Sequence, residues 1–126
     1  AIAVDVTYTS DYPGVDTAAT GDVRVGGGPV LVNNPSCHRK LQRLLRQAAE
    51  KQGIAVQTEA ATGRTGTDGD VIHKTGEGVP FSLVSIPLRY MHSPAEVGSL
   101  ADIQGCIDLL AQFLADLDPS LDLTWY

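Results

Sequence analysis

The sequence predicts an α/β fold in which a mostly parallel, mixed sheet is flanked by helices. Short apolar segments of strand length alternate along the chain with longer segments of helical periodicity. Two of the apolar segments are nearly continuous, which is typical of strands that are covered on both faces of a parallel sheet. A chain of 126 residues with 43% hydrophobic content can form one core, and nothing indicates a second domain.

The first half of the chain is predicted to contain three strands and one helix. The strands cover residues 1–8, 29–33 and 54–58, and a long loop rich in Gly, Asp and Thr covers residues 9–28. Asn34 and Pro35 have the residue types of a helix N-cap and first helical position, so a helix is predicted to start there. Gly53 is expected to end it. The predicted apolar face of this helix consists of Leu41, Leu44, Leu45, Ala48 and Ala49.

The second half is predicted to contain a strand over residues 81–86 and a long final helix. Between them, Ser93-Pro94-Ala95-Glu96 has the pattern of an N-cap, a first-turn proline and a capping-box glutamate, which predicts a helix start. Ser99 with Asp102 resembles a second capping box, and Asp118-Pro119 is expected to end the last helix. The stripe that we interpret as core consists of Leu100, Ile103, Ile107, Leu110, Leu114 and Leu117, widened by Cys106, Leu109 and Phe113.

Composition narrows the class of protein. The chain has 15 acidic and 9 basic residues and a net charge of −6, which disfavours a nucleic-acid or acidic-membrane partner. No apolar segment approaches the roughly 18 residues of a membrane helix, and no leader pattern is found. Cys37 and Cys106 form no CxxC motif; Cys106 is expected in the core, and a disulfide between the two stays open. A soluble, cytoplasmic protein is therefore predicted.

Asp5 and His92 are the candidate metal ligands. Asp5 interrupts an apolar strand, and a buried carboxylate is costly unless it is paired or bound to a metal. His92 follows the 81–86 strand on a constrained turn, and both residues are expected at the carboxyl ends of parallel strands. Together they would suit a divalent metal such as zinc, whereas the alternatives are an Asp–His hydrogen bond or two unrelated residues. His38 and His73 are interpreted as solvated surface residues on helical positions.

The segment 61–70 is a second candidate site. Its glycines and hydroxyls could cradle a phosphate, but it lacks the lysine and the spacing of a P-loop. The alternative is a Thr or Asx cap on a helix that continues through Val71 and Ile72. The glycine run 26–28 is interpreted as a loop, because no helix follows it.

Several motifs, in their order and spacing, resemble the second half of the tetrahedral aminopeptidase family. These are Val4-Asp5-Val6-Thr7, Asp11-Tyr12-Pro13-Gly14-Val15, Gly26-Gly27-Gly28-Pro29, Gly66-Thr67-Asp68, Gly78-Val79-Pro80 and the segment from Ser85 to Glu96. The resemblance covers roughly residues 1–118. Members of this family are dinuclear metallopeptidases that are also described as glutamyl or deblocking aminopeptidases and, often, as endoglucanases.

The resemblance implies a hydrolase with two divalent ions, zinc or cobalt, and a peptide substrate. Asp5 would be a terminal ligand of one ion and His92 of the other, while Thr67 and Asp68 would line the substrate pocket. Arg89 precedes His92 on the same turn, and it could contact the substrate or simply support the loop. Gly69 is a mild departure, because the family usually has Ala there. The chain would be the carboxyl-terminal part of a zinc-aminopeptidase-like catalytic domain, without the amino-terminal part and the inserted small domain.

The remaining family ligands and the general-base Glu have no counterpart in this chain. By that comparison no catalytic residue can be named, and the chain alone is expected to be inactive. Intact members of the family form large homo-oligomers, so uncovered apolar faces on this chain are expected to cause self-association. The alternatives are a noncatalytic interaction module and a glucanase, although no pair of carboxylic acids suited to glycoside cleavage can be named.

Overall fold

The computed structural model describes residues 1–124 of the chain and shows strands and helices in alternation. The strands are β1 (Ile2–Tyr8), β2 (Val30–Asn33), β3 (Gln57–Ala60), β4 (Ser82–Arg89) and β5 (Val97–Gly98). The helices are α1 (Thr17–Thr20), α2 (Arg39–Gln52), α3 (Gly69–Ile72) and α4 (Leu100–Ala115). Trp125 and Tyr126, which had no predicted element, lie outside the described residues.

The strands form one mixed sheet in the order β1-β4-β2-β3, with β5 paired to the end of β4. β1 pairs with β4 in parallel and β2 with β3 in parallel, whereas β4 is antiparallel to β2 and to β5. The predicted α/β class and mixed sheet are therefore confirmed. Because β1 and β4 run in the same direction, their carboxyl ends lie at the same edge of the sheet.

The main core lies between the sheet and the helices α2 and α4. Leu31 and Val84 of the sheet pack there against Leu45 of α2 and Leu109 of α4. The predicted apolar face of α2 is confirmed, since four of its five residues are buried and Leu44 is partly buried. A smaller core on the opposite side contains Val32, Cys37, Phe81 and Leu83.

Some predicted element boundaries are wrong. α2 begins at Arg39 instead of Asn34, because the ring of His38 accepts a hydrogen bond from the Lys40 N–H and caps the helix. Asn34 instead forms a turn, in which its Oδ1 accepts from the Ser36 N–H. His38 is consequently buried, which contradicts the surface position that we predicted. Gly53 does end α2, in the left-handed conformation with φ of 66°.

Other elements are also displaced from their predicted positions. β3 starts at Gln57, three residues after the predicted start, and β4 extends to Arg89. The 9–28 loop contains the short helix α1. No helix follows Ser93-Pro94-Ala95-Glu96: this segment forms a turn that leads into β5. Antiparallel pairing of β5 with β4 therefore overrides the local capping pattern.

The predicted core stripe of α4 is the wrong face of the helix. Ser99 caps α4 as predicted, but Asp102 does not complete a capping box and is buried, with Cys106, Leu109 and Phe113, on the inner face. Leu100 of the predicted stripe is 83% exposed, and the stripe residues Ile103, Ile107, Leu114 and Leu117 are exposed as well. The helix ends at Ala115, three residues before the predicted stop.

Both cysteines are buried free thiols, and Cys106 lies in the core as predicted. Burial raises the pKa of the Cys106 thiol to about 11. Within residues 1–124, no helix combines the length and the apolar character needed to cross a membrane.

Candidate functional site

Asp5 lies in the middle of β1, three residues before the strand ends. This position differs from the predicted strand end. Its Cα is paired with that of Ser85 in β4, and the alternation of a strand places its side chain on the same face as Thr7. Its Oδ1 accepts a hydrogen bond from the Val6 N–H at 2.8 Å. Among the residues that the structure describes, Oδ2 has no hydrogen-bond partner, so one carboxylate oxygen is free to bind a cation.

His92 lies on a strained turn that follows β4. Tyr90 and His92 both have positive φ, 59° and 64°, a conformation that is uncommon for residues other than glycine. The turn is closed by the Glu96 carboxylate, whose Oε1 accepts a hydrogen bond from the His92 N–H at 2.6 Å. The imidazole itself is exposed and contacts the Tyr8 ring edge-on, with 6.2 Å between ring centroids.

The Tyr8–His92 contact brings the His92 turn to the carboxyl end of β1. Tyr8 is the last residue of β1 and follows Asp5 by three residues, which corresponds to roughly 10 Å along a strand. The structure therefore places both candidate ligands on adjacent parallel strands or just beyond them. Within residues 1–124, no group of three or more His, Cys, Asp or Glu side chains is arranged to hold a metal ion.

Arg89 and Asp11 form a bidentate ion pair at the base of the His92 turn. The Arg89 Nε lies 3.0 Å from Asp11 Oδ1, and its Nη2 lies 2.6 Å from Oδ2. Asp11 Oδ2 also accepts from the Val25 N–H at 3.2 Å. The hydrogen bonds from Arg89 outweigh the opposing effect of burial and hold the pKa of Asp11 at about 2. This pair joins the end of β4 to the loop that follows β1.

Asp102 anchors the glycine run to α4. Its carboxylate is 1% exposed and accepts hydrogen bonds from the Gly26 N–H at 2.7 Å and the Gly28 N–H at 2.8 Å. Sequence reasoning missed this role, because the spacing from Ser99 favoured a capping box. The available signal was the position of Asp102 four residues before Cys106 and seven before Leu109, which places it on their face of the helix.

Segment 61–70 is organised around the buried carboxylate of Asp70. The N–H groups of Thr65 and Gly66 donate to it, each at 2.9 Å, and so does the Thr65 hydroxyl. Burial would raise the pKa of Asp70, but these hydrogen bonds outweigh it and hold the pKa at about 2. Because Asp70 occupies both N–H groups, they are not free to bind a phosphate.

The two predicted pocket residues of this segment have different environments. Thr67 Oγ1 accepts a hydrogen bond from the Gly69 N–H at 3.2 Å, but Thr67 precedes the N-cap residue Asp68, so it forms a turn before α3 instead of the predicted Thr cap. Asp68 is exposed and makes no side-chain cap hydrogen bond, so the Asx cap is absent and its carboxylate is accessible from solvent. His73 is part-buried, not solvated as predicted, and its Nδ1 lies 2.7 Å from the Gly69 carbonyl oxygen.

Comparison with known proteins identifies the family to which this chain is similar. The profile of the M42 glutamyl aminopeptidase family matches residues 1–109. A protein of Acetivibrio thermocellus that is named as an aminopeptidase is 40% identical over 115 residues, which are 89% of this chain and 34% of that protein. The chain thus spans about a third of the length of this relative.

Solved structures of similar proteins agree with this result. A TET aminopeptidase from a marine sediment thaumarchaeote superimposes with a TM-score of 0.85 at 28% identity, covering 94% of this chain and 33% of that one. The TET1 peptidase of Pyrococcus horikoshii, which assembles into a tetrahedron or a large octahedral shell, superimposes with a TM-score of 0.65 at 30% identity. That match covers 92% of this chain and 33% of the TET1 chain.

Proposed function

The chain belongs to the M42 glutamyl aminopeptidase family, and we propose that it contributes part of a metal-dependent peptidase that removes N-terminal residues from peptides. The observation that carries this proposal is the position of Asp5 and His92. Asp5 lies in β1 and His92 lies on the turn that follows the adjacent parallel strand β4, and each offers donor atoms that no described residue occupies. Carboxylate oxygen and imidazole nitrogen are ligands that zinc and cobalt accept.

We assign Asp5 to one divalent ion and His92 to a second. When bound, two such ions would polarise a water molecule and so supply a nucleophile at neutral pH. In this chain Asp5 is oriented by the Val6 N–H, and His92 is held by a turn that Glu96 closes and Arg89 supports. Because the two residues are terminal ligands, the bridging carboxylate, the other ligands and the general-base Glu must come from the rest of the catalytic domain.

Thr67, Asp68 and Arg89 are proposed to contact the peptide substrate. Asp68 has an exposed carboxylate, which suits it to bind the free amino group of a peptide N-terminus. Arg89 is already paired with Asp11, so only its remaining N–H groups are available to a substrate. Thr67 acts mainly by shaping the loop that carries Asp68.

Large homo-oligomeric assembly and a cytoplasmic location complete the proposal. The first is supported by the tetrahedral and octahedral shells of the similar TET1 peptidase. The second is supported by the acidic composition with two free thiols, which is ordinary for a cytoplasmic enzyme.

A noncatalytic interaction module is the second candidate function. It is favoured by the fact that residues 1–124 do not hold three metal-ligating side chains together. In that case the chain would share its evolutionary origin with the family but not its peptidase activity.

The experiment uses the protein produced from its full native gene. Its intact mass and metal content are measured first, followed by hydrolysis of a panel of aminoacyl anilides with and without a chelator. We expect about two metal ions per chain and activity that the chelator abolishes. His92→Ala should lower kcat/KM at least about 100-fold, whereas Glu77→Ala, at an exposed position distant in sequence, should leave it unchanged. A product without metal or activity would favour the noncatalytic module.

A further inference from the structure

A cavity of about 720 Å³ lies where the chain passes from β2 into α2. Its wall includes the side chains of Arg39, Lys40 and Arg43, and within residues 1–124 no Asp or Glu lines it. We call it the basic cavity. A third of the nine basic residues of the chain line this one cavity, although the net charge of the chain is −6. Its volume is in the range of sites that hold a small-molecule ligand.

The positive charge of the basic cavity is not neutralised by the part of the chain that the structure describes. Within residues 1–124, the guanidinium groups of Arg39 and Arg43 make no ion pair and no side-chain hydrogen bond. Lys40 Nζ donates to the Asp122 carbonyl oxygen at 2.7 Å, which satisfies one donor but leaves the charge. By contrast, four of the other six basic residues pair with an Asp carboxylate.

This concentration of positive charge is unfavourable for the chain alone. Arg39 and Arg43 are four residues apart in α2, and like charges at this spacing are neighbours on a helix and repel each other. The first turn of α2 has no acidic residue, although the helix dipole favours acids there and disfavours Arg39 and Lys40. An anion bound between the three cations would reverse both effects. The sequence departs here from the usual charge pattern of a helix, which is expected where a ligand binds.

The wall of the basic cavity is held in place without a ligand. Asn34 is 6% exposed, and its Nδ2 donates to the carbonyl oxygens of Ala61 and Gly63, each at 2.8 Å. Its Oδ1 accepts from the Ser36 N–H at 2.9 Å. His38 is buried and caps α2, which fixes the turn from which the three cations follow. A ligand would therefore bind a preformed wall, at a low cost in conformational entropy.

We propose that the basic cavity binds a diphosphate group. A guanidinium group donates two parallel hydrogen bonds to phosphate oxygens, so Arg39 and Arg43 offer one such contact for each of two linked phosphates. Lys40 adds a third positive charge. The proposal goes beyond the proposed function, since neither Asp5 nor His92 lines this cavity. A nucleic acid fits less well, because its many phosphates would meet a chain whose overall charge is negative.

The test is isothermal titration of inorganic diphosphate into the protein produced from its full native gene, at about 0.15 M salt. We expect one diphosphate per chain with a Kd below about 1 mM. Arg39→Gln and Arg43→Gln should each weaken binding at least about tenfold, because each removes charged hydrogen bonds to the ligand. Lys74→Gln removes the same charge at an exposed position outside the cavity and should leave the Kd unchanged. Circular dichroism of each variant checks that the protein is folded.

Three further arms identify the ligand and the place where it binds. His92→Ala should leave the Kd unchanged, which separates the basic cavity from diphosphate bound at a metal ion. Citrate carries a similar charge on three separate carboxylates and should bind at least about tenfold more weakly. Adenosine diphosphate that binds more tightly than inorganic diphosphate would identify a diphosphate ester as the ligand, and weaker or equal binding would identify the free anion.

Four results would overturn the proposal. They are the absence of saturable binding, binding that tolerates both Arg39→Gln and Arg43→Gln, an equal loss in Lys74→Gln or His92→Ala, and citrate binding as tight as that of diphosphate. Each result is read from binding and not from peptide hydrolysis. The outcome is therefore independent of whether the proposed peptidase activity is found.

Discussion

At the scale of single residues, three largely buried carboxylates hold the loops around the candidate site. Asp102 binds the Gly26 and Gly28 N–H groups, Asp70 binds those of Thr65 and Gly66, and Asp11 binds Arg89. Burial of a charge is tolerated when hydrogen-bond donors surround it. Hydrogen bonds to these carboxylates therefore fix the conformation of loops that have little apolar packing.

Asp102→Asn should destabilise the chain by about 2 to 4 kcal/mol. The substitution removes the charge and can place an amide NH₂ against a backbone N–H of the glycine loop, which leaves a buried donor without an acceptor. Urea unfolding followed by circular dichroism measures the change. Asp108→Asn, at an exposed position on the same helix, is the matched control and should change the free energy of unfolding by less than about 0.5 kcal/mol. Equal effects of the two variants would contradict a clamping role for Asp102.

Ionisation of the Asp70 carboxyl group should make part of the free energy of unfolding depend on pH in the acid range. Its pKa is lowered from 3.8 to about 2 in the folded chain, so ionisation favours the folded state above about pH 4. That contribution, at most roughly 2 kcal/mol, should be lost as the pH falls from about 4 to about 2. Urea unfolding of the native chain and of Asp70→Asn should therefore differ most near neutral pH and converge at about pH 2. A difference that is independent of pH would show that the Asp70 charge does not stabilise the fold.

At the scale of elements, the glycine run 26–28 is fixed by contacts with α4 on one side and with the segment at Ala55 on the other. Gly28 has φ of 90°, and a Cβ there would overlap the Ala55 carbonyl oxygen, while Asp102 holds its N–H. Gly26 has a similar φ of 82°, but a Cβ there would meet open space. Two substitutions can therefore separate the two contributions to stability. Both carry the free-energy cost of a side chain at positive φ, but only one adds a steric overlap.

Gly28→Ala should destabilise the chain more than Gly26→Ala. Both substitutions put a side chain at positive φ, which costs about 1 to 2 kcal/mol. Gly28→Ala adds overlap with backbone, which should raise the cost by a further 1 to 3 kcal/mol or so. Thermal and urea unfolding of both variants measure the difference. Similar losses would mean that the segment at Ala55, between α2 and β3, can move away at little cost.

The two long helices show what sequence periodicity can predict. In α2 the apolar stripe is narrow, so the pattern identified the buried face correctly. In α4 the apolar residues cover about half of the circumference, and periodicity cannot tell which part faces the sheet. Cys106, Leu109 and Phe113 were predicted only as the margin of that stripe, yet together with Asp102 they form the buried face of α4.

Residue identity was sufficient to single out the candidate ligands, whose metal-binding role stays a prediction. Asp5 and His92 were singled out because a carboxylate in an apolar strand and a histidine at a strand end are unusual, and both lie at the β1–β4 pair. The turn that holds His92 was not predictable. Ser93-Pro94-Ala95-Glu96 fits a helix cap locally, but Glu96 instead binds the His92 N–H, and the next residues pair with β4. The structure of such a segment depends on pairing between residues that are distant in sequence, and the local sequence pattern carries no information about that pairing.

At the scale of the whole molecule, the candidate metal ligands lie at one edge of the sheet. β1 and β3 are the two edge strands, and α2 and α4 pack over the centre of the sheet. β1 carries Asp5, and the ring of its last residue, Tyr8, contacts His92. The other ligands that the proposed function requires would have to lie beside this edge.

The chain alone is predicted to bind zinc weakly. Asp5 and His92 offer one ligand each, and within residues 1–124 no group of three or more His, Cys, Asp or Glu side chains is arranged to hold a metal ion. A four-ligand structural zinc site gains about 10 to 16 kcal/mol, so a site with one or two ligands should have a Kd of roughly 10 µM or weaker. Isothermal titration of the chain with zinc measures this, and His92→Ala should abolish the remaining affinity while Glu77→Ala should not. Binding with a nanomolar Kd would mean that the chain contains a complete zinc site by itself, which would contradict the assignment of Asp5 and His92 as single ligands of two separate ions.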